Sequence, residues 1–144
     1  IILALAYSLN DLSAMLNTAG YIVSITESWL TPKVLPMLAF LITAIVAFST
    51  GTSWGTYAIM IPIAVPLAFN FTGGELDTIV YATIAAVAGG GVFGDHCSPL
   101  SVTSILASTG AASDHIDHIK TQMPYALLIG FISVLIYLGV GWLL

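Results

Sequence analysis

Long apolar stretches separated by short polar segments dominate the chain. Apolar residues fill most of positions 1–25, 34–70, 77–108 and 124–144, and polar residues collect between them. About 20 apolar residues in a helix, at ~1.5 Å each, cross the roughly 30 Å hydrocarbon core of a bilayer. The pattern therefore predicts single transmembrane helices over 1–25 and 124–144. The two middle stretches are too long to be single transmembrane helices.

Residues 34–70 contain no charge, and as one straight helix they would extend about 55 Å. The helix must break, and the run STGTSWGT at residues 49–56 is the natural place, because hydroxyls and glycines compete with helical hydrogen bonds. Each flanking piece is then about 15 residues, or ~23 Å, which is short for a full crossing. Two structures remain open, namely a re-entrant hairpin with its tip at residues 50–55, or two half-helices that meet inside the membrane.

Residues 77–108 present the same difficulty, since one helix would extend about 50 Å. The run GGGVFGDHCSP at residues 89–99 predicts a break, because glycines ease the exit from a helix and a Ser-Pro pair suits the start of the next one. We expect one half-helix to end near Gly90 and another to begin near Pro99. Transporters use such broken helices to build ion sites. The following residues, 109–123, are predicted to form a polar loop.

Charge is scarce in this chain. A soluble domain of 144 residues would carry about 36 charged side chains, whereas this one has two Lys and seven Asp or Glu, with 58% hydrophobic residues and a mean hydropathy of +1.04. The net charge of −5 argues against nucleic-acid binding, and one Cys excludes an internal disulfide. The composition predicts an all-α integral membrane protein. Because Ile1 already lies inside an apolar run, we expect a fragment that forms a single transmembrane domain, 1–144.

Asp95 is the leading candidate for a functional residue. An ionised carboxylate between two membrane half-helices costs several kcal/mol unless a cation, a proton or hydrogen bonds compensate it. Carbonyls at the end of the first half-helix and nearby hydroxyls could complete an oxygen shell for Na+. The expected hydroxyl ligands are Ser98, Thr50, Thr52 and Ser53. The alternative is that Asp95 only caps the helix that follows.

Two further residues join this predicted ion-binding and proton-coupling set. His96 adjoins Asp95, and Asp11 is a second carboxylate in an apolar stretch, although Asp11 could equally lie at the membrane interface. A zinc site made of His96, Cys97 and the later histidines is disfavoured, because side chains of adjacent residues point in different directions. A hydrolase triad is disfavoured for the same reason. We therefore expect no enzyme activity and no cofactor, with Na+ and H+ as transported ions.

A dense polar segment contains Asp114, His115, Asp117 and His118. It is either a solvated interfacial loop or an entrance that guides ions or senses pH, because His titrates near physiological pH and carboxylates concentrate cations. The positive-inside rule would place Lys33 and Lys120 on one side of the membrane, which requires an even number of crossings between them. Two lysines do not decide the topology.

Three motifs together resemble the NhaC family of Na+/H+ antiporters: FSTGTSWGTY at 48–57, GDHCSP at 94–99 and DHIDH at 114–118. The resemblance implies the C-terminal portion of a longer transporter with inverted-repeat architecture, which exchanges Na+ or Li+ for H+ in a bacterial or archaeal cell membrane. Its implied partners are the lipid bilayer and a missing N-terminal half, and a homodimer is compatible with such a protein.

The resemblance has one departure. Family members usually read SPISDTT where this chain reads SPLSVTS at residues 98–104, so Val102 replaces a carboxylate. This places the transported ion in question. An exchanger of organic acids such as malate or lactate with the same fold is the nearest alternative, and a non-transporting membrane subunit or fragment is another.

Overall fold

The computed structural model describes residues 8, 11, 12, 15–17, 21, 24, 25 and 30–143. Within residues 30–143, a 3₁₀ turn at Pro32–Val34 leads into five α-helices. These are α1 (Leu35–Thr50), α2 (Ser53–Phe71), α3 (Thr78–Cys97), α4 (Val102–Gly110) and α5 (His115–Leu143). The described residues contain no strand, which confirms the all-α prediction. The helix predicted over 1–25 lies largely outside the described residues.

Four segments among the described residues are long and apolar enough to cross a membrane: Pro32–Thr50, Ser53–Phe71, Thr78–Cys97 and His115–Leu143. Helix α3 packs against α1, α2 and α5, and half of the residues in its apolar stretch are buried. Helix α5 exposes most of its length, which suits a helix that faces lipid or further protein. The fold thus confirms an integral membrane protein built around α3.

Helices α1 and α3 run parallel and touch through glycines. A side chain at Gly90 would meet Phe40 and Thr43, and one at Gly94 would meet Ala44 and the Cβ of Ala47. The four-residue spacing on both helices keeps their backbones in contact for more than a turn. Helices α2 and α5 run the opposite way to α3. In α2, Tyr57 donates to the Ala88 carbonyl at 2.9 Å while Leu67, ten residues later, packs with Ile79. In α5, Gln122 donates to the His96 carbonyl at 2.7 Å and Tyr137 to that of Ala85 at 3.0 Å.

The core has two apolar clusters along α3. One contains Leu35, Leu67 and Val80 near the start of α1, and the other contains Phe40, Met60 and Val87 at the middle of the bundle. At the same end as the first cluster, the Lys33 ammonium lies 5.1 Å from the Trp142 ring centre. Lys120 lies near the start of α5, at the opposite end. Three membrane-length helices separate the two lysines, so they cannot both follow the positive-inside rule.

The break inside residues 34–70 is shorter than expected. Helix α1 ends at Thr50, Gly51 takes a left-handed conformation with φ of 68°, and Thr52 caps α2 by accepting from the Gly55 amide at 3.3 Å. Because tight caps confine the break to Gly51 and Thr52, each flanking segment reaches 19 residues, enough for a crossing of ~28 Å. Gly51 and Thr52 therefore join two membrane-length helices.

Three predicted boundaries are wrong. Helix α3 does not end near Gly90 but continues to Cys97, and α4 begins at Val102 rather than near Pro99. The glycines of α3 serve close packing, so the chain has no need to leave the helix there. Residues from His115 onward, predicted as loop, already belong to α5, because the Asp114 carboxylate accepts from the amides of Ile116 (2.9 Å) and Asp117 (3.1 Å).

Gly94→Ala tests the close approach of α1 and α3. The added Cβ would overlap the Ala44 carbonyl and lie 2.8 Å from the Ala47 Cβ, so we expect a loss of about 1–3 kcal/mol in the free energy of unfolding. Gly139→Ala is the matched control, because nothing lies within 4 Å of its Cβ position and Ala favours the helix. Thermal unfolding in detergent measures both, and equal midpoints would contradict the packing.

Candidate functional site

Two of the connections between helices, the one after α1 and the one after α3, meet at one end of the bundle. A Cβ built on Gly51, between α1 and α2, would lie 2.8 Å from the Leu100 carbonyl carbon, between α3 and α4. Gly51 is therefore required for two reasons, its positive φ of 68° and this close approach to backbone. Sequence alone indicated two separate breaks, and the fold places them against each other.

The Asp95 carboxylate lies at this junction and is only 9% exposed. Its Oδ1 accepts from the Ser101 hydroxyl at 2.8 Å, and its Oδ2 accepts from the Thr103 hydroxyl at 2.9 Å. Ser101 is also the N-cap of α4, accepting from the Thr103 amide at 3.1 Å. The carboxylate is thus held at a helix N-terminus, where the backbone dipole favours negative charge.

The two hydroxyls also contact each other, with 2.6 Å between Ser101 Oγ and Thr103 Oγ1. Each hydroxyl has one hydrogen, so two hydrogens must serve three close oxygen contacts when the carboxylate is ionised. A third proton, on the carboxyl group, would allow one hydrogen in each contact and close the ring. A small cation bound to the same oxygens would relieve the shortage equally well.

The carbonyl oxygens that were expected to bind an ion already accept hydrogen bonds. The Asp95 carbonyl accepts from the Ser98 amide at 3.1 Å. That of His96 accepts from Ser104 Oγ at 3.2 Å and from Gln122 Nε2 at 2.7 Å. The side-chain oxygens around the carboxylate are therefore better placed as ligands than these helix-end carbonyls.

Ser98 and the residues on either side of Gly51 form hydrogen bonds with groups other than the Asp95 carboxylate. Ser98 is fully buried, and its Oγ accepts from the Leu100 amide at 3.2 Å. Thr50 Oγ1 donates to the Val46 carbonyl at 2.8 Å and lies 3.3 Å from Thr56 Oγ1. Thr52 caps α2, and Ser53 is its first residue. The structure brings these residues to the same end as Asp95, but the hydrogen bonds to the carboxylate come from Ser101 and Thr103.

His96 and Asp11 lie apart from the carboxylate contacts. The His96 side chain lines a cavity of about 720 Å³ between α3 and α5, together with Phe93, Gln122 and Tyr125. Asp11 is exposed. In the part of the chain that the structure describes, no three His, Cys, Asp or Glu side chains are grouped closely enough to hold a metal ion.

The polar segment at 114–118 forms the start of α5. Asp114 caps the helix, and Asp117 lies 3.9 Å from the Lys120 ammonium at the surface. His118 is half-buried. His115 Nδ1 lies 3.1 Å from Ser108 Oγ and its Nε2 lies 2.8 Å from the Pro99 carbonyl. His115 therefore contacts the connection that carries the Asp95 partners.

Sequence reasoning missed Ser101 and Thr103. It placed the helix start at Ser98-Pro99, so Ser98 became the expected partner. The signal that was available is the spacing Ser-x-Thr at 101–103, since an N-cap hydroxyl and a hydroxyl two residues later both lie at the helix start. Val102, between them, is 65% exposed. A carboxylate at position 102 would therefore point away from Asp95.

The comparisons with known proteins agree on one kind of relative. The model of the Na+/H+ antiporter family matches residues 1–142. The chain is 41% identical over 141 residues to an uncharacterized protein of Haemophilus influenzae, covering 98% of this chain and 26% of that protein. It is 39% identical over 113 residues to an uncharacterized Na+/H+ antiporter of the same organism, covering 78% and 23%.

A more distant relative is the malate-2H+/Na+-lactate antiporter of Bacillus subtilis, 27% identical over 112 residues, covering 78% of this chain and 23% of that protein. The chain thus spans about a quarter of the length of these relatives. No solved structure shows significant similarity to it.

Thr103→Val tests the hydrogen bond to Asp95 Oδ2. Removing it leaves a buried carboxylate oxygen without its donor, which we expect to cost about 1–3 kcal/mol of unfolding free energy. Thr109→Val is the matched control on the same helix, since Thr109 is exposed like Thr103 but its hydroxyl donates only to the Ile105 carbonyl. Its effect should stay within about 0.5 kcal/mol. Thermal unfolding of the purified protein in detergent compares them. A Thr103→Val protein as stable as the control would contradict the described geometry.

Proposed function

Because the chain belongs to the Na+/H+ antiporter family, we propose that it forms the ion-binding portion of a secondary transporter that exchanges Na+ or Li+ for H+. Within that family we assign it to the NhaC group and to the C-terminal portion of a longer protein. The family is one of transporters, which places the chain outside the enzymes. The bilayer of a bacterial or archaeal cell, an N-terminal half and a second copy of the chain are its proposed partners.

The observation that carries the proposal is the buried Asp95 carboxylate with its two hydroxyl partners, at 2.8 and 2.9 Å. No cationic side chain among the described residues forms an ion pair with this carboxylate, and the Lys120 ion pair is with Asp117 on the surface. A buried carboxylate without a fixed countercharge favours uptake of a proton or a cation. Asp95, Ser101 and Thr103 would hold the transported Na+ through oxygen atoms, the ligand type that hard cations prefer.

Exchange follows from competition for one carboxylate. A proton on Asp95 and a Na+ bound to it are mutually exclusive ways of compensating the same charge. If the site is offered alternately to the two sides of the membrane and only loaded states reorient, each proton that enters permits a cation to leave. Five further residues of the proposed site lie at this end of the bundle, around the carboxylate: His96, Ser98, Thr50, Thr52 and Ser53. Asp11 is proposed as a second carboxylate for ion binding or proton coupling, and its side chain is exposed.

Asp114, Asp117 and His118 form the proposed entrance. They lie at the end of the bundle that carries Asp95, and their charges would attract cations to that end. Lys120 offsets Asp117 at 3.9 Å, so the attraction rests mainly on Asp114.

Exchange of an organic acid is the second candidate. It is favoured by the similarity to the malate-2H+/Na+-lactate antiporter. Under this alternative, Asp95 retains its coupling role.

Asp95→Asn in the complete transporter tests the main proposal. Asparagine cannot carry the charge that Na+ and H+ compete for, so we expect cation-dependent dequenching of a pH-gradient dye in everted vesicles to be abolished. Asp77→Asn is the control, because Asp77 caps α3 at the other end and asparagine also caps helices. Undiminished exchange in Asp95→Asn would remove this residue from the mechanism.

Counterflow of labelled malate or lactate separates the two candidates. The cation/proton exchanger should show no counterflow of either acid while Na+ still dissipates the pH gradient. Saturable counterflow that requires Na+ would establish the organic-acid alternative instead.

A further inference from the structure

The connection between α3 and α4 is held by a side chain of α5. His115 Nε2 lies 2.8 Å from the Pro99 carbonyl, sixteen residues earlier in the chain. A carbonyl oxygen only accepts hydrogen bonds, so Nε2 must carry a hydrogen and donate it. The other nitrogen, Nδ1, lies 3.1 Å from Ser108 Oγ, which ties the same ring to the end of α4.

The bond to Pro99 does not depend on the charge of the ring. Ser108 is 2% exposed, and its hydroxyl lies 2.9 Å from the Ile105 carbonyl, which also accepts from Thr109 at 2.8 Å. In a neutral ring, Ser108 can donate to Nδ1 while Thr109 still serves Ile105. In a charged ring, Nδ1 donates to Ser108. Nε2 donates to Pro99 in both states.

A second side chain on the same face of α5 holds the other end of this connection. Gln122 is seven residues after His115, two helical turns along one face, and buried Ile119 lies between them. Gln122 Nε2 donates to the His96 carbonyl at 2.7 Å. Helix α5 thus donates to one carbonyl directly after Asp95 and to another two residues before Ser101.

We propose that His115 is a positioning residue for the ion site. By holding the Pro99 carbonyl it fixes the turn at residues 99–101 against Gly51, and so keeps the Ser101 hydroxyl 2.8 Å from Asp95 Oδ1. This inference rests on the proposed function. It gives His115 a role inside the bundle that is separate from an entrance role for its neighbours.

Two substitutions in the complete transporter separate the nitrogens of His115. Glutamine can place an amide N–H donor where Nε2 stands, whereas the shorter asparagine reaches only the position of Nδ1. We expect His115→Asn to raise the Na+ concentration for half-maximal exchange roughly tenfold, the size of one lost hydrogen bond, with the maximal rate and membrane level near those of the wild type. His115→Gln should stay within about twofold of the wild type.

Ser108→Ala and Ser101→Ala identify the route by which His115 acts. Ser108→Ala removes only the Nδ1 partner, so half-saturation should stay near that of the wild type; a tenfold rise would overturn the proposal even if His115→Asn did not accumulate. Combining His115→Asn with Ser101→Ala should add little to Ser101→Ala alone, since both act on one contact.

Additive effects of the two substitutions, or wild-type half-saturation in His115→Asn, would also overturn the positioning role. A different result would contradict the proposed function itself. Exchange that persists in Asp95→Asn contradicts the ion site, whatever the His115 variants do.

Discussion

The need to compensate one buried carboxylate shapes this end of the molecule. Asp95 is 9% exposed within a helix long and apolar enough to cross a membrane, where an unpaired charge is costly. The described residues offer it hydroxyl groups rather than a cationic side chain. Hydroxyls stabilise the charge without cancelling it, and the proposed exchange of a proton for a cation depends on this feature.

The close packing of α1 and α3 determines where the hydroxyls are. Because Gly90 and Gly94 let the two backbones touch in parallel, the ends of both helices come to the same level. Gly51 then meets Leu100, and the turn that follows α3 is confined on one side by the first connection. On the other side, α5 confines it through His115 and Gln122. The proposed ion site thus depends on three contacts that do not involve the carboxylate directly: α1 with α3, Gly51 with Leu100, and α5 with the turn after α3.

This arrangement also suggests how the site could respond to motion. Helix α5 is the least buried of the four membrane-length helices. In its apolar stretch 17% of the residues are buried inside the bundle, against 50% for α3. A shift of α5 relative to α3 would act on the His96 and Pro99 carbonyls, which flank the Asp95 contacts. Asp114 caps this helix and Asp117 lies in its first turn. The proposed entrance would therefore move together with His115 and Gln122, whose side chains donate to the Pro99 and His96 carbonyls.

The sequence by itself determined the membrane class and the all-helical fold, and it predicted a break within residues 49–56 and a candidate role for Asp95. These follow from hydropathy, from helix length against bilayer thickness and from the cost of burying a charge, all of which are local properties. The sequence could not determine that α3 continues through Gly89-Gly90-Gly91, because a glycine that ends a helix and a glycine that admits a neighbouring helix look the same in one dimension. It also could not choose among the hydroxyls near Asp95. Only the tertiary structure decided for Ser101 and Thr103, because it starts α4 at Val102 with Ser101 as the N-cap and places both hydroxyls against the Asp95 carboxylate.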